Sequence, residues 1–171
     1  MKRAYHITVR VFAVFGVAVF CVIIWYVVTI TWKMPVHNFD LWRLGRNFQS
    51  IDSYHPVDSR LLLKNKYVGG LYPEGSYSCN YFVGEFRSAA QSREEIIRAY
   101  GGHFVDSFDG TGRIPVEIRF LDDQGFFDHH PWYEWQKKLR QSPDLSTAQG
   151  SVYLVFASQI GYPPYGDIRC N

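Results

Sequence analysis

The sequence is short of charged residues. Asp, Glu, Lys and Arg together make up 20% of the chain, against roughly 25% in an average globular protein. The deficit has a local cause, because the stretch Val11–Thr31 contains no charged residue. A helix rises about 1.5 Å per residue, so this stretch is about 31 Å long and matches a bilayer core of roughly 30 Å. The stretch therefore predicts a membrane-spanning helix.

A cleavage site is also lacking at the end of this stretch. A cleaved signal peptide has an apolar region of about 7–15 residues, followed by small residues at the cut. Here the apolar run is longer, and residues 29–35 contain no A-x-A-like site. Phe20 precedes Cys21, so the small residue that a lipoprotein signal needs is missing as well. We interpret the stretch as an uncleaved, single-pass signal anchor whose partner is the lipid bilayer.

Basic residues on the two sides of the stretch predict its orientation. Lys2, Arg3 and Arg10 precede it, whereas Lys33 is the first basic residue after it. Positive residues favour the cytoplasmic side of a span, so we expect the N-terminus to be cytoplasmic. The remainder of the chain then lies outside the cytoplasm, in a periplasm or extracellular space.

The sequence divides into four predicted segments, and the boundaries follow from the changes in composition. They are a cytoplasmic tail (1–10), the transmembrane signal anchor (11–32), a juxtamembrane connector (33–58) and an extracytoplasmic α+β domain (59–171).

A basic surface is lacking in the exposed part of the chain. The chain has 18 Lys and Arg residues, and four of them flank the span, which leaves 14 basic residues against 16 acidic ones. The binding of nucleic acid requires a basic stripe or patch, so we expect no nucleic-acid partner.

Cysteines are few, and their positions are informative. The chain has three. Cys21 lies within the span, where we expect a packing role. Cys79 and Cys170 follow the span, in a compartment predicted to be oxidising, where one bridge between them would pin the C-terminus. Two unrelated buried thiols are the alternative, and a bridge requires the two Cα atoms to lie within about 7 Å.

Sequence motifs of known catalytic and cofactor sites are absent. The sequence contains no G-x-S-x-G, no H-E-x-x-H, no phosphate-binding loop and no C-x-x-C, so we predict neither a cofactor nor a metal site and assign no catalytic residue. The densest group of chemically active side chains comprises Asp122, Asp123, Asp128, His129 and His130. An envelope hydrolase or metal-dependent enzyme that uses the region Asp128–His130 is therefore the alternative function.

A repeated Glu-x-Arg pattern occurs on two predicted strands. Glu85 precedes Arg87, and Glu117 precedes Arg119, by two residues, which places each pair on one face of its strand. Cross-strand ion pairs on a solvated face are the simpler interpretation. A polar groove that recognises a charged ligand is the other.

The domain is predicted to be α+β, with a small mixed sheet of about four strands. Its coarse order is β-β-α-β-α-β. Two predicted helices, 92–100 and 132–139, each have one apolar side, so we expect both to pack on the same face of the sheet. The strands are predicted in the stretches 59–73, 79–88, 113–125 and 151–160.

The alternation of apolar residues also predicts where some strand side chains point. In the second strand, Phe82, Gly84 and Phe86 should face one way and Tyr81, Val83 and Glu85 the other. Within 113–125, the residues Ile114, Val116, Ile118 and Phe120 should share one face. The near-continuous apolarity of 151–160 is typical of a central strand that is covered on both sides.

Two further segments suggest contact surfaces. In the connector, Phe39, Trp42 and Phe48 recur at near-helical spacing, which predicts a short amphipathic helix. That helix either lies on the membrane or docks onto the protein's own domain. Near the C-terminus, "GYPPYGD" is a Tyr- and Pro-rich loop that we expect to contact a partner or to pack in the core.

These observations together indicate a membrane-anchored extracytoplasmic binding or interaction module. Its partner is predicted to be an envelope protein. The sequence favours this function over an enzyme, because the anchor and the aromatic-rich domain are accompanied by no recognisable catalytic pattern.

Overall fold

The long N-terminal helix is apolar enough to cross a membrane by length and composition. The structure, a computed structural model, describes residues 2–70, 78–123, 125, 131–161 and 166–170, with side chains from residue 14 onward. Helix α1 spans Lys2–Thr31. The mean hydropathy of its most apolar window is 2.5, and none of that window is buried against the rest of the chain.

Two turn residues separate α1 from α2, which spans Met34–Phe48 and leads into a 3-10 helix of Gln49–Tyr54. Pro35 lies at the start of α2, where its missing N–H and fixed φ are tolerated. Leu44, Phe48 and Ile51 are fully buried in the domain core. The connector helix therefore docks onto the protein's own domain with one of its faces.

The domain contains a four-stranded sheet in the order β1-β2-β6-β5 and a two-stranded ribbon of β3 and β4. The α+β class is confirmed. The strands are β1 (Arg60–Gly69), β2 (Asn80–Ala89), β3 (Phe104–Asp106), β4 (Arg113–Pro115), β5 (Glu117–Phe120) and β6 (Ser151–Ile160). The helices that follow the connector are α3 (Arg93–Tyr100), α4 (Trp132–Arg140) and α5 (Pro143–Ser146), with a terminal 3-10 turn of Ile168–Cys170.

The sheet is antiparallel, whereas the sequence predicted a mixed one. Each of its three pairings runs antiparallel. Strand β6 is central, between β2 and β5, and its middle residues are buried. Its continuous apolarity reflects cover on both faces, which antiparallel strands also acquire when helices pack on both sides.

Helices α3 and α4 lie on opposite faces of the sheet, so the prediction of a shared face is wrong. Ile96 and Tyr100 of α3 pack with Tyr81, Val83, Tyr153 and Val155, which define the α2 face. The α4 face is lined by Phe82, Phe86, Leu154 and Phe156, and it receives Trp132, Trp135 and Leu139 of α4. Because β2 and β6 are apolar on both sides, each face needs its own cover. The domain is a three-layer arrangement.

The predicted strand around Ile114–Phe120 divides into two. Residues 113–115 pair with β3, while 117–120 pair with β6. Pro115 has no N–H, and the next amide, of Val116, bonds to the His103 carbonyl at 3.0 Å. The chain thus passes from the ribbon to the main sheet at this point, although the apolar residues keep to the α2 face as expected.

Candidate functional site

The predicted Asp128–His130 region lies outside the described residues, and so does most of the Tyr- and Pro-rich loop. The two neighbouring carboxylates of the first group are described. Asp122 and Asp123 accept from the Arg93 guanidinium at 3.2 and 2.6 Å, and the second oxygen of Asp123 accepts from the Phe120 amide at 2.8 Å. Asp123 thus closes the turn after β5, and both carboxylates pair with Arg93.

The C-terminal turn forms a polar cluster beside the start of α2, which we name the terminal latch: His37, Cys79, Asp167, Arg169 and Cys170. The two sulfur atoms are 2.01 Å apart and the Cα atoms 4.9 Å apart, so the geometric condition for a bridge between Cys79 and Cys170 is met. The bond joins the residue before β2 to the last turn of the chain.

Asp167 is the centre of the latch. Its side chain is fully buried, and one of its carboxylate oxygens lies 2.8 Å from Nδ1 of His37. The other oxygen accepts from the backbone N–H and Nε of Arg169, at 3.0 and 2.9 Å. Burial by itself raises the pKa of Asp167, but the bonds from Arg169 and His37 outweigh it and hold the pKa below its ordinary value.

The latch also binds the helix that follows the apolar stretch. Arg169 donates from Nη1 to the Asn38 side-chain oxygen at 2.7 Å, and the Lys33 amide donates to the Gly166 carbonyl at 2.9 Å. Gly166 has a φ of +85°, and a Cβ there would fall 2.3 Å from Nε1 of Trp32. Only glycine fits both the positive φ and the close approach of the Trp32 ring. The C-terminus is therefore fixed to the first turn of α2.

Four latch groups are close enough to hold a metal ion. The ligand atoms of His37, Cys79, Asp167 and Cys170 lie within 4.8 Å of one another. Cysteine binds zinc only as the thiolate, and here the two sulfurs are joined to each other, which leaves only His37 and Asp167 of the four groups as ligands. The oxidised latch is consequently a structural element rather than a metal centre.

A second polar cluster, the Glu85 cluster, lies on the α2 face and comprises His55, Lys64, Glu85 and Arg87. Glu85 is only 2% exposed. Its carboxylate accepts hydrogen bonds from Lys64 Nζ at 2.5 Å and from Arg87 Nη1 at 2.8 Å. Burial raises the pKa of Glu85, but its contacts with His55, Lys64 and Arg87 outweigh that effect and lower the pKa to about 2. The carboxylate is therefore ionised inside the domain.

His55 connects Glu85 to two buried tyrosines. Its Nδ1 lies 2.8 Å from the Tyr100 hydroxyl, which lies 3.2 Å from that of Tyr153. Its Nε2 lies 3.4 Å from Asp52 Oδ1 and 3.5 Å from Glu85 Oε2, too far for a short hydrogen bond with either. Burial raises the pKa of both Tyr100 and Tyr153, so both hydroxyls stay protonated.

The Glu85 cluster has the donors of a metal site but an unfavourable charge balance. Asp52, His55 and Glu85 place one ligand atom each within 4.8 Å of the others. Lys64 and Arg87 already supply two positive charges beside Glu85, the buried carboxylate of this set. A divalent cation would be repelled by both at close range, so the arrangement favours a buried ion network that positions β1 against β2.

The repeated Glu-x-Arg pattern has two different outcomes. Strands β2 and β5 are separated by β6, so the predicted cross-strand pairs do not form. The side chains of Glu117 and Arg119 are 40% and 46% exposed and lie 3.7 Å apart, as the solvated interpretation expects. Glu85 is buried, and for it that interpretation is wrong. The missed signal is a Glu that follows the apolar residues Phe82 and Val83 in the middle of β2, directly opposite Lys64 in the register of β1 and β2.

An open groove beside the 3-10 helix brings together side chains to which the sequence assigned no role. It has a volume of about 320 Å³ and is lined by Ser50, Tyr54, Gly102, His103, Phe104, Asp106 and Arg113. The rings of Tyr54 and His103 stack with centroids 3.7 Å apart, and Phe104 is 51% exposed. We name it the Tyr54 groove.

Comparisons of the chain with protein-family models, curated proteins and solved structures give no match.

Proposed function

We propose that this chain is a single-pass membrane protein whose domain lies outside the cytoplasm and binds a protein of the cell envelope. Three features support the proposal: the apolar helix α1, the disulfide of the terminal latch and the Tyr54 groove. The latch is the observation that carries it.

The latch supports both the proposed cellular compartment and the fixed attachment of the domain to α2. A disulfide persists in oxidising compartments and is rare in the cytosol, so a bridge that holds the last turn of the domain favours a location outside the cytoplasm. The same residues fix the domain to α2, immediately after the helix that would cross the membrane. A domain fixed in this way presents its surfaces at a constant position relative to the bilayer.

Helix α1 and its flanks support the anchor. The side chains described in α1 are almost all exposed, as lipid contact requires. Lys2, Arg3 and Arg10 on one side and Trp32 with Lys33 on the other agree with a cytoplasmic N-terminus and an interfacial aromatic residue.

The Tyr54 groove is the surface that we assign to the partner. Tyr and Arg are enriched among the residues that dominate binding energy at protein interfaces, and Tyr54 and Arg113 both line this groove. The stacked Tyr54 and His103 rings and the exposed Phe104 offer aromatic surface, while Asp106 and Arg113 offer charges of both signs. This mixture suits a peptide segment of another protein.

A reporter enzyme that is active only outside the cytoplasm, fused after Asn171, tests the location. We expect activity. Activity only from a reporter restricted to the cytoplasm would overturn the predicted orientation.

Photo-crosslinking in intact membranes tests the binding surface. A photoreactive phenylalanine analogue replaces Phe104, and the matched control replaces Tyr133, which is 53% exposed on α4, on the opposite side of the sheet. We expect a crosslinked protein from position 104 and a much weaker product from 133. Equal yields, or a product from 133 alone, would contradict the assignment of the groove.

A further inference from the structure

Helix α2 carries an apolar face that nothing in the described chain covers. Val36, Phe39 and Trp42 are 54%, 56% and 49% exposed. The rings of Phe39 and Trp42 stack with centroids 5.6 Å apart, and the Arg46 guanidinium lies over the Trp42 ring at 5.4 Å. We name these four residues the outer face of α2.

The opposite side of the same helix is part of the domain core. His37, Leu44, Gly45 and Phe48 are buried, so the helix is held in place by the sheet while its outer face points away. The sequence left two alternatives for this helix, docking on the domain and contact with a membrane. The two are compatible, because each would use a different face of the helix.

The ladder of helical hydrogen bonds is interrupted at the junction between α1 and α2. The Lys33 amide bonds to the Gly166 carbonyl rather than to a carbonyl of α1, and Pro35 has no amide hydrogen to continue the helical ladder. Such an interruption is where helices change direction. Helix α2 can thus leave the line of α1 and run along the bilayer surface.

We propose that the outer face of α2 lies against the lipid headgroups of the bilayer that α1 crosses. The inference rests on the proposed anchor. The face begins within a few residues of the end of α1, so the bilayer surface is the nearest apolar–polar boundary available to it. Aromatic rings and arginine side chains are the groups that bind at that boundary.

The basic residues near the outer face of α2 also favour the lipid surface as its partner. Lys33 lies over the Trp32 ring at 5.1 Å, and Arg43 and Arg46 follow along α2. These cations alternate with aromatic rings, a pattern suited to phosphate groups above an acyl boundary. Anionic headgroups should strengthen the contact.

Spin labels on the full-length protein in vesicles of phosphatidylcholine and phosphatidylglycerol test the proposal. In a Cys21→Ser background with the disulfide intact, a nitroxide is attached at Phe39→Cys, at Tyr133→Cys or at Ile24→Cys. The accessibility of each label to oxygen, which partitions into lipid, is compared with its accessibility to a water-soluble nickel complex. We expect the oxygen-to-nickel ratio at position 39 to lie several-fold above that at 133 and below that at 24.

The possible label accessibilities distinguish a failure of the headgroup contact from a failure of the membrane anchor. A ratio at 39 equal to that at 133, with 24 in lipid, would overturn the headgroup contact alone. Low access of both reagents at 39 would indicate burial in a second copy or another protein, and would also overturn it. A nickel-accessible label at 24 would overturn the anchor, and the headgroup contact with it.

A second measurement leaves Phe39 unchanged. Brominated lipids quench tryptophan fluorescence on contact, so the quenched fraction of the wild-type protein is compared with that of Trp42→Phe. We expect the variant to lose part of the quenched fluorescence. An unchanged quenched intensity would place Trp42 away from lipid and contradict the proposal.

Discussion

Glu85 combines deep burial with a full negative charge, and two cations compensate it. A buried carboxylate that loses its partners is strongly unfavourable, yet Lys64 and Arg87 occupy both of its oxygens. Arg87 also donates to Ser59 at 3.1 Å, which ties β2 to the chain before β1. The cluster thus specifies how the first two strands meet rather than adding much net stability.

Replacing Glu85 with Gln should destabilise the domain by about 3 kcal/mol at neutral pH, because Lys64 and Arg87 lose their counter-charge in a buried place. Thermal or denaturant unfolding of the full chain in detergent measures this. Glu117→Gln is the matched control, since Glu117 also precedes an Arg by two residues but has a side chain that is 40% exposed, and we expect a change within about 0.5 kcal/mol. Equal losses for the two variants would contradict the buried network.

The pH dependence of stability should change with the same substitution. The pKa of Glu85 is about 2 in the folded protein, against an ordinary value of 4.5. The stability that depends on its ionised form is therefore present above pH 4.5 and is lost as the pH falls from there toward 2. We expect Glu85→Gln to lose less stability than wild type between pH 7 and pH 3. A parallel loss in both proteins would show that Glu85 titrates normally.

Among the elements, α4 approaches β2 closely because Gly84 has no side chain. A Cβ on Gly84 would lie 2.8 Å from Cβ of Phe156 and 3.1 Å from Cζ3 of Trp135. The ring of Trp135 thus occupies the space that a side chain would take in the middle of the α4 face.

Gly84→Ala should destabilise the domain by about 1–3 kcal/mol through overpacking between β2, β6 and α4. Gly112→Ala is the control, because no described atom lies within 4 Å of the corresponding Cβ, and its effect should stay within about 0.5 kcal/mol. Both are measured by thermal unfolding. If Gly84→Ala were as mild as the control, α4 would not pack where the structure has it.

The terminal latch joins elements that are far apart in the chain, because its two cysteines are 91 positions apart. Closing a loop of that length stabilises the folded state by about 5 kcal/mol in the chain-entropy description. We expect Cys79→Ser and Cys170→Ser to lose similar stability, and the double variant to be no worse than either, because the two residues share one bond. Additive losses in unfolding experiments would exclude the bridge.

Local patterns in the sequence were sufficient for some elements. Ser92 and Glu95 form the reciprocal cap that starts α3, at the start of the predicted helix 92–100. The alternation in β2 correctly separated Phe82 and Phe86 from Tyr81 and Val83, because side chains along a strand have a period of two.

Contacts that depend on distant residues could not be predicted in this way. Nothing local distinguishes which face of the sheet receives α4. The partnership of His37 with Asp167 joins residues 130 positions apart, and the Tyr54 groove forms only after the 3-10 helix meets the β3–β4 ribbon. Only the two cysteines made a prediction of the latch possible. Their pairing places the polar residues next to Cys170 in the chain close to the start of β2.

At the scale of the whole molecule, the chain places an α+β domain directly at the end of an apolar helix, with the C-terminus returned to the junction. The latch, the inner face of α2 and the sheet form one connected structure. Its groove and its outer helix face are then both held at defined positions relative to the proposed membrane.

The oxidation state of the cysteines in intact cells tests this account most directly. Cells that express the full chain are quenched with acid, dissolved in SDS and treated with a maleimide-linked polymer that shifts the protein on a gel once per free thiol. With three cysteines in the chain and Cys79 bonded to Cys170, the account predicts one shift, from Cys21, before reduction and three after it. Three shifts without a reductant would show that the latch is open in the cell and would contradict both the disulfide and the compartment that it supports.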